Sequence, residues 1–367
     1  MRRRKWLERA KSLLIAVLAL TVLALTVLAL PAKTVTDTPW LAALVRPFAS
    51  VMGLTQGELT ATPMADAASV TGAAQPVAVS VRNPAGRTSF QFDTAALDTA
   101  FEQFGAALGQ ALEGAQEPQR TTTLRIQTAL GKTSVAFRYP GEISPALAAS
   151  WLQVETALDE SVRAQWLILA NEDAAVNLYL VGDELFVCQT QLDGDALEQL
   201  LQSCTPDGSF FAFEDAQARF SSVEPLSLLP GQTPQLHAAE AANPCDARFS
   251  DALAATLGFN PYGDARYTDD AGNTTYTETG YALSISASGE LLLRADVQST
   301  RFQAASGEQA ELVECARSLL STMTAGVSSD ARLYLTDLAQ SGSESVCTFD
   351  YFLSGIPVLP AGGYGAE

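Results

Sequence analysis

The chain has 367 residues and a formal net charge of −19, with 41 acidic side chains against 22 basic ones. Nucleic acid and anionic lipid headgroups repel so acidic a protein, which argues against both as partners, and we predict that the chain does not bind nucleic acid. The length is sufficient for two domains of ordinary size beyond an N-terminal segment.

The N-terminus carries a basic segment followed by an apolar one. The first eleven residues have a net charge of +5, which leaves −24 for the rest of the chain. Residues 13–30 contain no charge, and a helix of that length spans about 27 Å, close to the hydrocarbon thickness of a bilayer. We predict a cytoplasmic basic tail at 1–12 and an uncleaved transmembrane anchor at 13–30; a cleaved signal peptide is the alternative. Because the basic tail stays in the cytoplasm, the chain after residue 30 is expected on the outer side of the cell membrane.

Residues 31–79 predict a membrane-proximal helix and a linker. Thr38-Pro39-Trp40 is typical of a helix start, with proline in the first turn, and Trp40 is expected at the headgroup level. Residues 61–79 are rich in Ala, Thr and Pro and have no clear periodicity.

The range 80–215 predicts a first α+β domain. Leu97, Phe101, Phe104, Leu108 and Leu112 recur on one face of a helix that begins at Asp93 and ends at Gly114. Further helices are predicted from Ser144-Pro145 and around Leu197–Leu201. Strands are predicted at Ser134–Tyr139, Ala164–Leu169, Ala175–Val181, Glu184–Thr190 and Ser209–Glu214.

The range 216–244 is predicted to be a connector, because it contains prolines and shows no period. A second α+β domain is predicted at 245–358. Its expected elements are a helix through Phe249, Leu253 and Leu257, strands at 281–296, a helix with Leu312, Cys315, Leu319, Leu320 and Met323 on one stripe, and strands at Arg332–Leu338 and Ser345–Leu353.

Residues 281–296 predict a hairpin with one apolar and one polar face. Tyr281, Leu283 and Ile285 alternate with Ala282, Ser284 and Ser286, as in an antiparallel sheet that is covered on one side. We expect the apolar side to pack against the helix that carries Leu312, Cys315, Leu319 and Met323. The polar face, to which we assign Glu278 and Arg294, is then left for a partner.

Catalytic motifs are scarce, and we predict no catalytic, cofactor-binding or metal-ligating residues. The only histidine, His237, lies in a loop-like stretch, so a histidine-dependent triad has no second candidate. Asp183, Asp193, Asp195 and the stretch 269–273 are rich in carboxylates but lack the spacing of an EF-hand, and turns and helix caps explain them better.

Five cysteines are present: Cys188, Cys204, Cys245, Cys315 and Cys347. None of them forms a CxxC pair, which argues against a zinc site or a thioredoxin-like motif. Outside the cytoplasm, one or two disulfides and buried free thiols are both compatible with these positions.

Three stretches resemble one family. They are the basic N-terminus and anchor at Met1–Leu30, LGFNPYGDARYTDDAGNTTYTETGYALSISASGELLL at Leu257–Leu293, and FDYFLSGIPV at Phe349–Val358; Ala129–Leu152 is similar more weakly. The chain thereby resembles the YycH and YycI proteins, membrane-anchored regulators of the WalK–WalR (YycG–YycF) two-component system of Gram-positive bacteria. The resemblance implies a non-enzymatic protein whose partners are a sensor histidine kinase and a paralogous accessory protein. It also implies a sheet that continues beyond the 359–367 tail, so this tail is either truncated or lacks the last strand.

We therefore predict an α+β chain in which an N-terminal transmembrane helix precedes two extracytoplasmic domains, each an antiparallel sheet with helices packed on one face. The leading hypothesis for function is a regulatory or interaction protein that modulates a sensor histidine kinase controlling cell-wall metabolism. The alternative is a tethered binding domain for a cell-wall or small-molecule ligand, which would need a concave apolar site. An enzyme that works with carboxylates alone is the third hypothesis.

Overall fold

The computed structural model describes residues 75–173, 175–234, 243, 245–296, 301–304, 306–324, 331–341 and 344–359. They belong to one unit that runs from Ala65 to Glu367. The predicted anchor at 13–30, the membrane-proximal helix, His237 and the tail beyond Leu359 lie outside these residues. Within the described ranges, none of the helices has the length and apolar character needed to cross a membrane.

A seven-stranded sheet forms the centre of the unit. Its strands are β1 Ala78–Asn83, β2 Gly86–Phe90, β3 Gln119–Arg120, β4 Ser134–Ile143, β5 Ala164–Glu172, β6 Ala175–Val181 and β7 Leu185–Asp193. They lie in the order β2-β1-β4-β5-β6-β7-β3, and every neighbouring pair is antiparallel. The four longer strands predicted from Ser134 to Thr190 are confirmed. The β1–β2 hairpin was not predicted.

Four helices accompany this sheet: α1 Thr94–Glu113, α2 Thr123–Leu130, α3 Pro145–Trp151 and α4 Gly194–Leu201. The predicted starts of α1 and α3 are confirmed. The Asp93 carboxylate accepts a hydrogen bond from the Ala96 amide at 3.1 Å, and the Ser144 hydroxyl accepts one from the Leu147 amide at 3.1 Å. Such caps satisfy amides in the first turn that have no partner within the helix.

The seven-stranded sheet is covered on both faces, so the expectation of helices on one face is wrong for it. The larger core contains Phe104 and Leu108 of α1, Leu147 of α3 and Leu197 of α4. On the opposite face, Ile126, Ala129 and Leu130 of α2 pack with Trp166 and other sheet residues. Because the buried strands β4 to β6 carry apolar residues on both sides, each face requires a cover.

The segment after α4 also packs on the face of the seven-stranded sheet that α2 covers. It contains β8 Phe210–Phe211, a 3₁₀ helix at Ala212–Glu214 and β9 Leu228–Leu229. The predicted strand at Ser209–Glu214 is therefore wrong beyond Phe211. The chain turns there because Glu214 folds back to accept a hydrogen bond from the Phe211 amide and to pair with the buried Arg87 at 2.9 Å.

The next elements form a four-stranded meander and one helix. The helix is α5 Ala247–Thr256, and the strands are β10 Arg266–Thr268, β11 Thr274–Glu278, β12 Tyr281–Ile285 and β13 Leu291–Ala295. The strands are antiparallel and lie in the sheet in chain order. We call this four-stranded sheet the meander. Leu283 and Ile285 pack with Leu253 and Leu257, so the predicted apolar face is confirmed.

Helix α6, Gln309–Thr324, contacts two cores. Val313 and Leu320 pack into the core of the seven-stranded sheet, whereas Leu319 and Met323 pack against the meander. The contact expected between the meander and this helix is confirmed for Leu319 and Met323. The prediction of a single stripe is wrong, because the neighbours Leu319 and Leu320 face different sheets.

A C-terminal hairpin completes the described chain, with β14 Arg332–Ser341, β15 Glu344–Leu353 and the short β16 Ile356–Pro357. Leu335, Leu338 and Phe349 enter the core of the seven-stranded sheet. The hairpin comes so near β4 that a Cβ on Gly141 would overlap the Thr336 carbonyl oxygen. The two ranges predicted as domains thus share a core, and their separate folding stays a prediction.

Candidate interaction surface

The outer face of the meander is the polar face that the sequence predicts to be available to a partner. Its central row runs across all four strands, through the paired residues Tyr267, Thr275, Ser284 and Leu292. The hydroxyl oxygens of Thr275 and Ser284 lie 3.2 Å apart, and Tyr267 and Leu292 flank them with 67% and 42% of their surface exposed. We call this row, with its neighbours Thr277, Ala282 and Arg294, the outer face.

The opposite side of the meander fixes the orientation of the outer face. Tyr276, Leu283 and Ile285 are buried. The Tyr276 hydroxyl donates a hydrogen bond to Asp251 of α5 at 2.7 Å, and Arg266 pairs with the same carboxylate at 3.2 Å. Burial, followed by the hydrogen bond to Asp251, raises the pKa of Tyr276 to about 12. Since side chains alternate along a strand, a buried inner row forces the neighbouring residues outward.

Glu278 does not belong to the outer face, which corrects the sequence assignment. It follows the buried Tyr276 by two residues and therefore lies on the inner side of β11. Its carboxylate accepts hydrogen bonds from the Arg301 guanidinium and from the Asn260 amide, both at 3.0 Å. Charge reversal at Glu278 would break these bonds, so it is unsuitable as a surface probe.

Arg301 is the centre of a cluster that the sequence did not predict. Its guanidinium carbon lies 4.6 Å from the centroid of the Tyr281 ring, 5.7 Å from that of Phe259 and 6.0 Å from that of Phe302. One of its nitrogens also donates to the Leu257 carbonyl at 3.2 Å. These groups come from three separate stretches of the chain, so no local pattern could have indicated them. Its contacts join the β11–β12 turn to the residues that follow α5.

Arg294 lies on the outer face, as the sequence predicts. It is exposed, and it lies directly opposite Ala282 in the pairing of β12 with β13. Among the described residues, its guanidinium takes part in no ion pair. It is therefore the basic group that the outer face offers to a partner.

The carboxylates near glycines serve turns and caps in the structure. Asp193 accepts a hydrogen bond from the Asp195 amide at the start of α4. Asp269 accepts hydrogen bonds from the Asn273 side chain and from the amides of Asn273 and Ala271, and these bonds lower its pKa. Within the described residues, no three metal-binding side chains converge on one point.

All five cysteines are free thiols in the structure. Cys188 is buried in the core of the seven-stranded sheet, and burial raises its pKa to about 11. Burial likewise raises the pKa of the other four. A raised pKa disfavours the reactive thiolate at all five positions.

Comparisons with known proteins find little close similarity. No model of a known protein family matches the chain, and no curated protein matches it. Among solved structures, the crystal structure of YycH from Bacillus subtilis aligns over 81% of this chain and 76% of that chain, with a TM-score of 0.43 and 11% identity. At this level of similarity, membership of the YycH and YycI family stays a prediction.

Proposed function

We propose that this chain is a membrane-anchored, extracytoplasmic regulatory protein that works by protein–protein contact. In this proposal its partner is a sensor histidine kinase that controls cell-wall metabolism, and the chain modulates it without catalysing a reaction. The observation that carries the proposal is the outer face of the meander. It is an ordered, solvent-facing row with an aromatic and an aliphatic group around two hydroxyls.

The composition of the outer face suits a protein partner. Protein interfaces are enriched in tyrosine and arginine and are depleted of charge at their centre. The outer face carries the tyrosine Tyr267 and the arginine Arg294, and Thr275 and Ser284 at its centre are uncharged. The packed inner side keeps these groups in place before binding, which lowers the entropic cost of association.

The support for a kinase partner and for a membrane location comes from the sequence. The uncharged run at 13–30 behind a basic tail supports the anchor. The resemblance of Leu257–Leu293 to the YycH and YycI proteins supports the kinase, and this stretch contains most of the meander. A paralogous accessory protein is the second partner that this resemblance implies.

Co-purification tests the proposed contact. The full chain is extracted from its native membranes in a mild detergent, and histidine kinases among the recovered proteins are identified by mass spectrometry. Ser284→Arg places a large cation at the centre of the outer face, so we expect kinase recovery to fall by about tenfold or more. Leu124→Ser is the matched control, because Leu124 is exposed on α2. Equal recovery with Ser284→Arg and the native chain would refute the contact.

A reporter fusion tests the anchor separately. A reporter that is active only outside the cytoplasm is fused after Ala32, and the size of the product is measured. An active reporter on a full-size, membrane-bound product is expected. A product that is about 30 residues shorter and released from the membrane would favour a cleaved signal peptide instead.

A further inference from the structure

Among the described residues, the last strand of the meander has an open edge. β13 pairs with β12 on one side, and no strand of the described residues pairs with its other side. The Ser286 amide donates to the Glu290 carbonyl at 2.8 Å, and the Asp296 amide donates to the Gly280 carbonyl at 2.7 Å. Even-numbered residues of this strand therefore point their backbone groups at β12. By alternation, Leu291, Leu293 and Ala295 point theirs at the open edge.

The side chains along this edge have a symmetrical pattern. Glu290, Leu292 and Arg294 share the outer side of the strand, and all three are exposed. The two charges are opposite in sign and lie two residues before and two residues after Leu292. Among the described residues, neither charge takes part in an ion pair.

We propose that β13 pairs with β13 of a second copy of this chain, antiparallel, with the two-fold axis at Leu292. In this arrangement Leu291 and Leu293 of one copy exchange backbone hydrogen bonds with Leu293 and Leu291 of the other. The two Leu292 side chains meet at the axis, where a non-hydrogen-bonded pair brings Cα atoms to about 4.5 Å. Glu290 of each copy lies opposite Arg294 of the other, so two ion pairs form. The two meanders become one continuous eight-stranded sheet.

The charges select this register over its neighbours. An axis at Leu293 would place Glu290 opposite Asp296, and an axis at Arg294 would bring two arginines together; both arrangements are repulsive. An axis at Leu291 would place Arg294 opposite Ser288 and leave both charges without a partner. A charge on an edge strand usually blocks pairing. Here the equal spacing of opposite charges about Leu292 favours pairing in one register.

The size of the contact predicts a weak dimer. One added strand pair buries less than the roughly 1,200 Å² of a stable protein interface, and the net charge of −19 opposes association. At physiological ionic strength, repulsion between exposed charges is screened beyond about 8 Å, so the local pairs remain effective. Attachment to one membrane would raise the effective concentration of the edges. The proposal rests on the meander and does not depend on the kinase.

Cysteine cross-linking in membranes tests the axis. Full chains carrying Leu292→Cys, Glu290→Cys or Arg294→Cys are oxidised mildly, and covalent dimers are compared with those of the unaltered chain, which shows the background from native cysteines. Only position 292 meets its own equivalent. Residues 290 and 294 each lie about 13 Å along the strand from the same residue of the second copy. We expect at least about fivefold more dimer from Leu292→Cys. Equal dimer from all three, or none above background, would overturn the proposal.

Charge exchange tests the two ion pairs. In the Leu292→Cys chain, Glu290→Arg or Arg294→Glu alone places like charges opposite each other, and we expect about tenfold less covalent dimer. The double exchange restores opposite charges and should return the dimer to within about twofold of the parent. Thermal unfolding of each variant shows that the exposed substitutions leave the fold intact. A double exchange that dimerises no better than the single ones would overturn the register.

Discussion

Arg332 forms a bidentate ion pair with Asp98, in which each of the two terminal guanidinium nitrogens lies 2.6 Å from a carboxylate oxygen. The first residue of β14 is thereby bound to α1, across more than 200 residues of chain. Arg332 also donates to the side chain of Gln75 at 2.6 Å. The pair joins the two ranges that the sequence predicts as separate domains.

The first prediction concerns this ion pair. Asp98→Asn and Arg332→Gln should each destabilise the full chain, and a double-mutant cycle should give a coupling free energy of about 1 kcal/mol, because the pair is partly exposed but bidentate. Thermal unfolding provides the measurement. The local Asp215–Arg219 pair is the control, and we expect a smaller coupling for it, because its two residues are only four positions apart in the chain. A coupling of zero for Asp98 and Arg332 would contradict the prediction.

The second prediction concerns the approach of β14 to β4. Gly141→Ala places a methyl group against the Thr336 carbonyl, so the strands must move apart, at a cost of about 1–3 kcal/mol. Gly307→Ala is the matched control, because nothing lies within 4 Å of a Cβ added there. Chemical denaturation of both variants gives the free energies of unfolding. Similar values for the two would show that β14 does not lie against Gly141.

The third prediction tests the two faces of β12. Ile285→Ala removes a buried side chain and should cost about 2–5 kcal/mol of unfolding free energy. Ser284→Ala removes one hydroxyl contact on the outer face and should cost only about 0.5 kcal/mol. The difference is measured by denaturant unfolding of the full chain. Equal costs would mean that the register of the meander is wrong.

The fourth prediction concerns the Glu278–Arg301 pair. Glu278→Gln weakens two charge-assisted hydrogen bonds, and we expect a loss of about 1 kcal/mol after allowance for its partial exposure. Arg294→Gln, on the exposed outer face, should change stability by less than about 0.5 kcal/mol. Melting temperatures of the two variants distinguish these outcomes. A Glu278→Gln chain as stable as the native one would place Glu278 at the surface after all.

The fifth prediction concerns pH. Partial burial raises the pKa of Glu172, but hydrogen bonds from Tyr179 and Asn177 and the charges of Lys132 and Arg125 outweigh burial and lower it. A lowered folded pKa means that Glu172 stabilises the fold above its unfolded pKa of about 4.3, and that this contribution is lost as the pH falls through the folded value.

The Glu172→Gln variant should therefore be less stable than the native chain at pH 7, and the difference should shrink as the solution is acidified below about pH 4. Denaturant unfolding at several pH values measures it. Glu117→Gln, at an exposed site, is the control and should change stability by less than about 0.5 kcal/mol at neutral pH. A Glu172→Gln difference that is constant with pH would contradict the assignment.

The sequence alone determined the elements that have a strong local period or a clear cap. The stripe from Leu97 to Leu112 and the cap at Asp93 predict α1 to within a residue. The alternation from Tyr281 to Ile285 predicts the side of β12 that is buried. These predictions succeed because a helix or strand that buries one face must repeat its apolar residues with its own period.

The sequence could not reveal elements with short or weak patterns. Helix α2 has only eight residues and exposes Leu124, so its apolar stripe is too brief to recognise. The β1–β2 hairpin turns through Asn83, whose side chain accepts hydrogen bonds from two turn amides and donates to carbonyls of α4 and Cys204. Part of that stabilisation comes from residues more than 100 positions away.

The tertiary structure decided which elements share a core and which charges remain exposed. Leu319 and Leu320 are equally apolar, yet one packs against the meander and the other against the seven-stranded sheet. Glu278 and Arg294 are both charged residues of the meander, yet Arg301 binds the first on the inner side and the second stays on the outer face. A periodic pattern states that a face must be buried, but the partner that buries it is chosen by the packing of segments far apart in the chain.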